Sequence, residues 1–437
     1  MTLIGTEPPE QTYKLWGVIQ PLYTYDFGDR LKNLRGGGAP NNGKYVVKNT
    51  IAPWYTEQKR LQFRRLRAGV RGRFFGRLNN PVTDKINYFM VFEAAPNLVT
   101  YDPFDDRHRD IALADLFLTF NHLPGARIQA GLFKNPGPEE TLQPQAFSND
   151  YIQLTDFTGR VYLERFSSGS TRRRSYGGQN HNIGTPVNTA YGFSVARDWG
   201  VQIFDSFRFR PAWDWSYAVK VGRGEAIYES HDHDHNRELY LYSSLEYYLP
   251  GGKGPKKHGI KFFGWYQSGE RRFDTDPEEK EYDRIRWGLG CKALGKFFGL
   301  DYRQRFTVEL LYADGMIFTS PAGNVKGGLL QYAAQKDNKS RGLTLDYGLY
   351  LKKWQFDVRY HCNDMLYKTD NEYWIRADAR KITETTLGIT YHFTPGIRMT
   401  ANYTFRDAEA PNTDDHNVQT VVKSVKNRMA LQFTWIL

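Results

Sequence analysis

The chain has 437 residues, 59 Lys and Arg against 48 Asp and Glu, a formal charge of +11, and 29 Tyr, 28 Phe and 10 Trp. Its mean hydropathy is −0.63, and no uncharged apolar run reaches the ~18 residues that a spanning helix needs, so any membrane crossing is made by alternating strands, which average to a hydrophilic value. The two cysteines, Cys291 and Cys362, exclude a disulfide framework and any CxxC metal or haem site. The basic excess asks for anionic partners, but no nucleic-acid motif is present, and no cofactor is expected.

The opening, MTLIGTEPPEQTYKLW, lacks a basic region followed by an apolar one, so Met1 is read as the start of a processed or recombinant form. A polar connection over 27–61 leads to the most informative segment, QFRRLRAGVRGRFFG at 62–76. Period-two alternation puts Leu66, Ala68, Val70, Gly72 and Phe74 in one row and Arg65, Arg67, Arg71 and Arg73 in the other. At ~3.4 Å per residue the arginine row extends ~27 Å, about the height of a membrane barrel's apolar band. An arginine facing lipid at mid-depth costs roughly 2–4 kcal/mol, so the arginine row is assigned to the lumen. There, guanidinium forks replace part of an anion's hydration, and successive sites pass it onward.

Strands at 111–122 and 126–135 follow, joined by Leu123-Pro124-Gly125, with Arg127 facing inward and Lys134 at the entry to the next connection. That connection, 136–195, is too long for an ordinary link and is expected to fold into the pore as a constriction. An additional strand pair around GRVYLERF within it would raise the strand number to eighteen. Its run Thr171-Arg172-Arg173-Arg174 suits either anions at the pore mouth or lipopolysaccharide phosphates. In 212–222, outward Tyr217, Val219 and Val221 leave Lys220 inside. The loop GRGEAIYESHDHDHNRE interleaves His231, His233 and His235 with Asp232 and Asp234, a weak divalent-metal candidate against the plainer reading of a solvated loop. In 281–293, outward Ile285, Trp287, Leu289 and Cys291 place Arg284, Arg286 and Lys292 inside.

Strand pairs at 340–351 and 354–364, and at 383–393 and 397–407, are joined by Lys352-Lys353 and Thr394-Pro395-Gly396, and a polar loop over 408–426 precedes the final strand. That strand, NRMALQFTWIL, alternates cleanly, with Met429, Leu431, Phe433, Trp435 and Leu437 on one face. Short links alternate with long ones along the chain. This predicts one all-β domain over 1–437, a transmembrane antiparallel barrel of sixteen strands with short periplasmic turns, long extracellular loops and both termini periplasmic. A soluble propeller shares the alternation but requires a fixed repeat, which is absent.

The reading for function is a bacterial outer-membrane channel for small anions, not an enzyme, in contact with outer-membrane lipid and lipopolysaccharide. A barrel-based hydrolase needs a nucleophile and base near one rim, and no compelling Ser/His/Asp set is visible. A sleeve around an electron-transfer partner is the other alternative. Inward cations also have a plainer role, cross-linking strands through Asp or Glu; Glu93, Asp115 and Asp346 are the acidic lumen candidates.

The segments RLQFRRLRAGVRGRFFGRL, DIALADLFLTFNHLPGARIQAGLFKNPGPEETL, ARDWGVQIFD and YAVKVGRG resemble, in order, the strands of the phosphate-selective porins O and P. The resemblance spans roughly 62–225. It implies a homotrimer of sixteen-stranded monomers with an arginine ladder, lysines narrowing each pore near mid-height, and phosphate or polyphosphate as solute. On this chain it implies that Arg65, Arg67, Arg71 and Arg73 belong to the anion path and that Lys134 is the constriction candidate.

Overall fold

The computed structural model describes residues 12–32, 43–48, 56–74, 82–97, 99–102, 107–143, 150–163, 196–224, 236–252, 257–272, 281–315, 339–368, 379–414 and 416–437. The strands are β1 (Lys14–Asp26), β2 (Arg30–Lys32), β3 (Tyr45–Val47), β4 (Lys59–Arg73), β5 (Ile86–Glu93), β6 (Tyr101–Asp102), β7 (Arg107–His108), β8 (Ala112–Phe120), β9 (Arg127–Lys134) and β10 (Arg197–Arg210). They continue as β11 (Trp213–Gly222), β12 (Glu238–Tyr248), β13 (Gly259–Arg272), β14 (Glu281–Lys296), β15 (Arg303–Asp314), β16 (Lys339–Leu351), β17 (Trp354–Lys368), β18 (Arg380–Thr394), β19 (Ile397–Glu409) and β20 (Arg428–Ile436).

Sixteen of these close into one antiparallel barrel, in the order β1, β20 back through β8, β5 and β4, with β4 returning to β1. The pairs β2/β3 and β6/β7 are small separate ribbons within the long connections. Strand β1 makes the closure: Lys14–Tyr25 pairs with β4 and Val18–Asp26 with β20. The chain end is tied to the same strand, since Leu437 N donates to Gly17 O at 2.9 Å and Gly17 N to Leu437 O at 3.3 Å.

Alternation determines the two faces. Outward Leu61, Leu289, Leu310, Leu431 and Trp435 are exposed, as an apolar belt requires, while inward Gln20, Gln202, His361, Asn363 and Thr434 are buried. The register of β1 on β4 shifts between Gln20 and Pro21, skipping Arg64. This bulge resets the phase of β4, so Leu61 and Phe63 face outward before it and Leu66 after it. Links at 74–85, 121–126, 211–212, 249–258, 297–302, 352–353 and 395–396 lie on the rim that carries the chain ends; the remaining connections, most of them longer, lie on the other. Cys291 and Cys362 sit on separate strands as free thiols.

Two expectations need correction. Among the described residues the segment around GRVYLERF adds no strand pair: Phe157–Tyr162 is a wide helical turn, with Leu163 N bonded to Thr158 O at 3.0 Å and Gly159 N to Thr155 O at 2.9 Å. Its backbone groups are satisfied partly within the turn and partly by inward side chains of the barrel, so none of them enters the strand ladder. The polar connection 408–426 contains a helix, His416–Lys423. Val418, Val421, Val422 and Val425 follow helical spacing and pack against Ile382, Ala408 and Ala410, with Leu31 alongside. Ile382 and Ala408 are cross-strand partners on β18 and β19, so this helix docks on the wall near the long-loop rim. Val422→Asp removes roughly 2 kcal/mol of apolar burial and inserts an unpaired carboxylate. Limited proteolysis is expected to cut the variant within 410–427, while the barrel keeps its heat-modifiable gel mobility.

Candidate functional site

The barrel interior starts from the β4 row. Arg65, Arg67, Arg71 and Arg73 share the face opposite exposed Leu66 and Ala68. Arg65 is buried and its Nη1 donates to Gln20 Oε1 at 2.8 Å; Gln20 Nε2 donates in turn to Thr434 Oγ1 at 3.1 Å. Arg67 Nε meets Glu93 Oε2 at 2.7 Å, and Glu93 Oε1 also accepts from Leu66 N at 2.8 Å. Arg71 lies between Lys14 and Phe89 as cross-strand partners, and Arg73 lies beside Asn87. The Arg71 side chain has no hydrogen bond or ion pair among the described residues. The row is therefore uneven: Arg65, Arg67 and Arg73 have partners, and Arg71 is partly exposed with no side-chain partner among the described residues.

The remaining cations read from sequence have other partners. Arg127 pairs with Asp205 at 2.9 Å. Lys220 is fully buried and donates to Phe133 O, Asn135 Oδ1 and Asp198 O at 3.1, 2.9 and 2.8 Å. Lys134 Nζ donates to Thr141 O and Gln143 O, both at 2.7 Å. Arg284 Nη2 donates to Tyr162 O at 3.0 Å and Nη1 meets Glu238 at 3.3 Å. Arg286 donates to Val161 O at 3.0 Å and to Asp314 O at 2.8 Å. Lys292 meets Glu139 at 3.1 Å. Arg284 and Arg286 are 1% and 0% exposed, which makes them supports beneath another segment instead of lining.

That segment is the described part of the long connection, 135–143 and 150–163. Its hydrogen bonds run to inward residues of β13, β14, β15, β17 and β19. Glu139 meets Lys261 at 2.6 Å, and its N–H donates to Glu309 at 3.2 Å. Asp150 accepts from Gln355 at 2.6 Å and is ion-paired with Arg305. Ile152 N donates to Asn402 Oδ1 at 2.7 Å, and its side chain packs on Leu22 and Ala430. Arg359 donates to Gln153 O at 3.0 Å, Asn363 to Asp156 at 2.8 Å, and Phe157 N to His361 Nε2 at 3.1 Å.

Sequence reasoning missed Lys261, Arg305 and Arg359 as supports, as well as Arg406 and Arg428, which converge on Asp26 at 2.7 and 3.2 Å. None belongs to a dense basic row like that of β4, so no local cluster marks them, and only barrel closure brings the group together. His231, His233 and His235 lie outside the described residues, as does the run Thr171-Arg172-Arg173-Arg174.

Burial acts to raise the Glu139 carboxyl's pKa, but the ammonium groups of Lys261 and Lys292 outweigh it and pull the value down to about 2. A depressed carboxyl pKa contributes stability that is full above the ordinary value near 4.5 and is lost as pH falls toward about 2. Lys261→Met is expected to raise the Glu139 pKa and move acid loosening of this turn upward toward pH 4.5. Amide hydrogen exchange at Thr141, Leu142 and Gln143 as a function of pH reads this, and an unchanged profile refutes the anchor.

Among solved structures, the chain is similar to OprB of Pseudomonas putida, with a TM-score of 0.53 and 10% identity over 98% of this chain and 94% of that one. It is also similar to OmpF of Salmonella typhi in complex with daunomycin, with a TM-score of 0.53 and 10% identity over 97% of each chain. An anion-selective porin from Comamonas acidovorans matches with a TM-score of 0.49 and 10% identity, over 97% of this chain and 99% of that one. No family model matches, and no curated protein matches. At 10% identity the likeness establishes architecture, and the chain has the closed sixteen-stranded barrel fold of outer-membrane porins.

Proposed function

We propose that this protein is an outer-membrane porin that passes small anions by passive diffusion, of the kind that the phosphate-selective porins exemplify. The observation that carries this reading is the inward row Arg65, Arg67, Arg71 and Arg73 on one strand of a closed barrel, with Arg71 lacking an acidic partner among the described residues. The segment 135–163 acts as the constriction. Its bonds to β13–β19 hold it against that wall and set the conducting path between it and the β4 wall, with Arg127, ion-paired with Asp205, on β9 beyond β5 and β8. Phosphate, polyphosphate and other small anions are the solutes, and the homotrimer and periplasmic termini belong to the same reading.

Like-signed neighbours at this spacing repel one another and attract mobile anions, and in a narrow, low-dielectric lumen that field is focused. Multiple weak sites let an ion enter and leave, whereas a single strong site would hold it. Arg284, Arg286 and Lys292 serve by seating the constriction, not by touching solute.

Planar-bilayer reversal potentials in a salt gradient test the proposal, and cation preference would defeat it. Replacing Arg65, Arg67, Arg71 and Arg73 together with Gln is expected to bring the anion-to-cation permeability ratio close to unity. Arg284→Gln with Arg286→Gln is expected to keep the ratio near that of the parent while increasing current noise, because the constriction loses its seat. Competition between phosphate, polyphosphate, sulfate and chloride in the same bilayer ranks the solutes.

A further inference from the structure

At Arg71 the arginine row continues sideways into aromatic rings. On the inward face, Lys14 of β1, Arg71 of β4, Phe89 of β5 and Phe117 of β8 are successive cross-strand partners, forming one row around the wall. Neighbouring strands are ~4.8 Å apart, so the row covers ~14 Å, with two cations at one end and two rings at the other. Phe89 and Phe117 are stacked, with centroids 5.1 Å apart and planes at 19°. Trp16 extends the ring surface, its centroid 5.8 Å from Phe89. Its indole occupies the space above Gly69, where a Cβ would come within 2.5 Å of it. Glycine at that position, between Arg67 and Arg71, is what admits the indole.

The rings form a seated platform. Trp16 and Phe89 pack on Val91, Ala112 and Ala114, yet Trp16, Phe89 and Phe117 all retain partly exposed surface. Apolar surface on the inner face of a water-filled barrel gains nothing from lipid. The cationic end is equally unsatisfied. Like charges directly opposite on adjacent strands destabilise a sheet, and neither Lys14 nor Arg71 has an ion pair or hydrogen bond among the described residues. Nearby acids are engaged elsewhere, Glu93 with Arg67 and Asp115 with Arg197 at 2.8 Å.

We infer that this row is a binding site for small aromatic carboxylates, at the part of the lumen near the rim that carries the chain ends. The carboxylate lies between Lys14 and Arg71, and the ring continues the stack over Phe89 and Phe117. The inference rests on the porin reading and narrows it, because it sets organic anions with a flat ring apart from inorganic ones. Arg71 provides the fork that a carboxylate accepts bidentately, while Lys14 contributes a point charge. Ring stacking supplies the preference for an aromatic body over an aliphatic one.

Block of chloride current by added benzoate, cyclohexanecarboxylate and acetate, measured from the chain-end side in planar bilayers, tests this with the intact protein. Benzoate is expected to half-block at roughly a tenfold lower concentration than acetate, as two aromatic contacts imply, with cyclohexanecarboxylate between them. Phe89→Leu with Phe117→Leu is expected to bring benzoate to the level of cyclohexanecarboxylate, and Arg71→Gln to weaken block by benzoate and acetate alike. Equal block by benzoate and acetate in the unaltered protein overturns the site, as does equal block by benzoate and cyclohexanecarboxylate. Those results leave the porin reading standing if the reversal potential still shows anion preference; cation preference overturns both. Benzoate binding by calorimetry in micelles needs no variant and no conductance, and absence of binding at millimolar concentration overturns the site.

Discussion

Closure of the sheet through β1 is the constraint on which the rest of the structure depends. A strand pair open at either edge leaves unpaired N–H and C=O groups, and in hydrocarbon each would cost several kcal/mol. Strand β1 removes both edges at once, pairing with β20 on one side and β4 on the other. Once the sheet is closed, every strand residue faces either an apolar exterior or a polar interior. The composition of the chain, rich in aromatics yet hydrophilic on average, is the consequence.

The interior is organised by charge pairing as much as by charge excess. A buried cation without a partner is costly, and low dielectric makes each good pair correspondingly strong. One half of the barrel spends its inward cations on the segment 135–163: Lys261 and Lys292 on Glu139, Arg305 on Asp150, and Arg284, Arg286 and Arg359 on carbonyls. Arg406 and Arg428 lock Asp26 close to the barrel seam. On β4 the pairing is incomplete, because the Arg71 side chain has no partner among the described residues. The proposed selectivity arises from that asymmetry of pairing, because the count of basic residues alone does not distinguish a support from a lining group.

Arg71 and Arg286 show how far sequence reasoning reaches. Both are arginines on the inward face of a strand, each two positions from a glycine of the same face, Gly69 and Gly288, and the alternation pattern treats them alike. In the structure Arg286 is 0% exposed beneath Val161, whereas Arg71 stands beside Lys14 and Phe89. The difference comes from where a distant segment lands. The helix His416–Lys423 escaped for a related reason: its three valines and Val425 just beyond it are spaced for a helix, but they lie within a charged connection, and the apolar wall they meet belongs to β18 and β19.

The sequence by itself determined strand existence, the face each residue takes, the alternation of short and long links, and the sixteen-strand count, because a period of two and turn chemistry are local properties. It also placed Arg65, Arg67, Arg71 and Arg73 on one face, in spite of the bulge at Arg64, since that bulge precedes the row. Only the tertiary structure decided which inward cations are occupied, where the segment 135–163 is seated, and that Lys14, Arg71, Phe89 and Phe117 form one row. Those four residues come from four strands spread over a hundred positions of sequence, and cross-strand register, a product of closure, is what makes them neighbours.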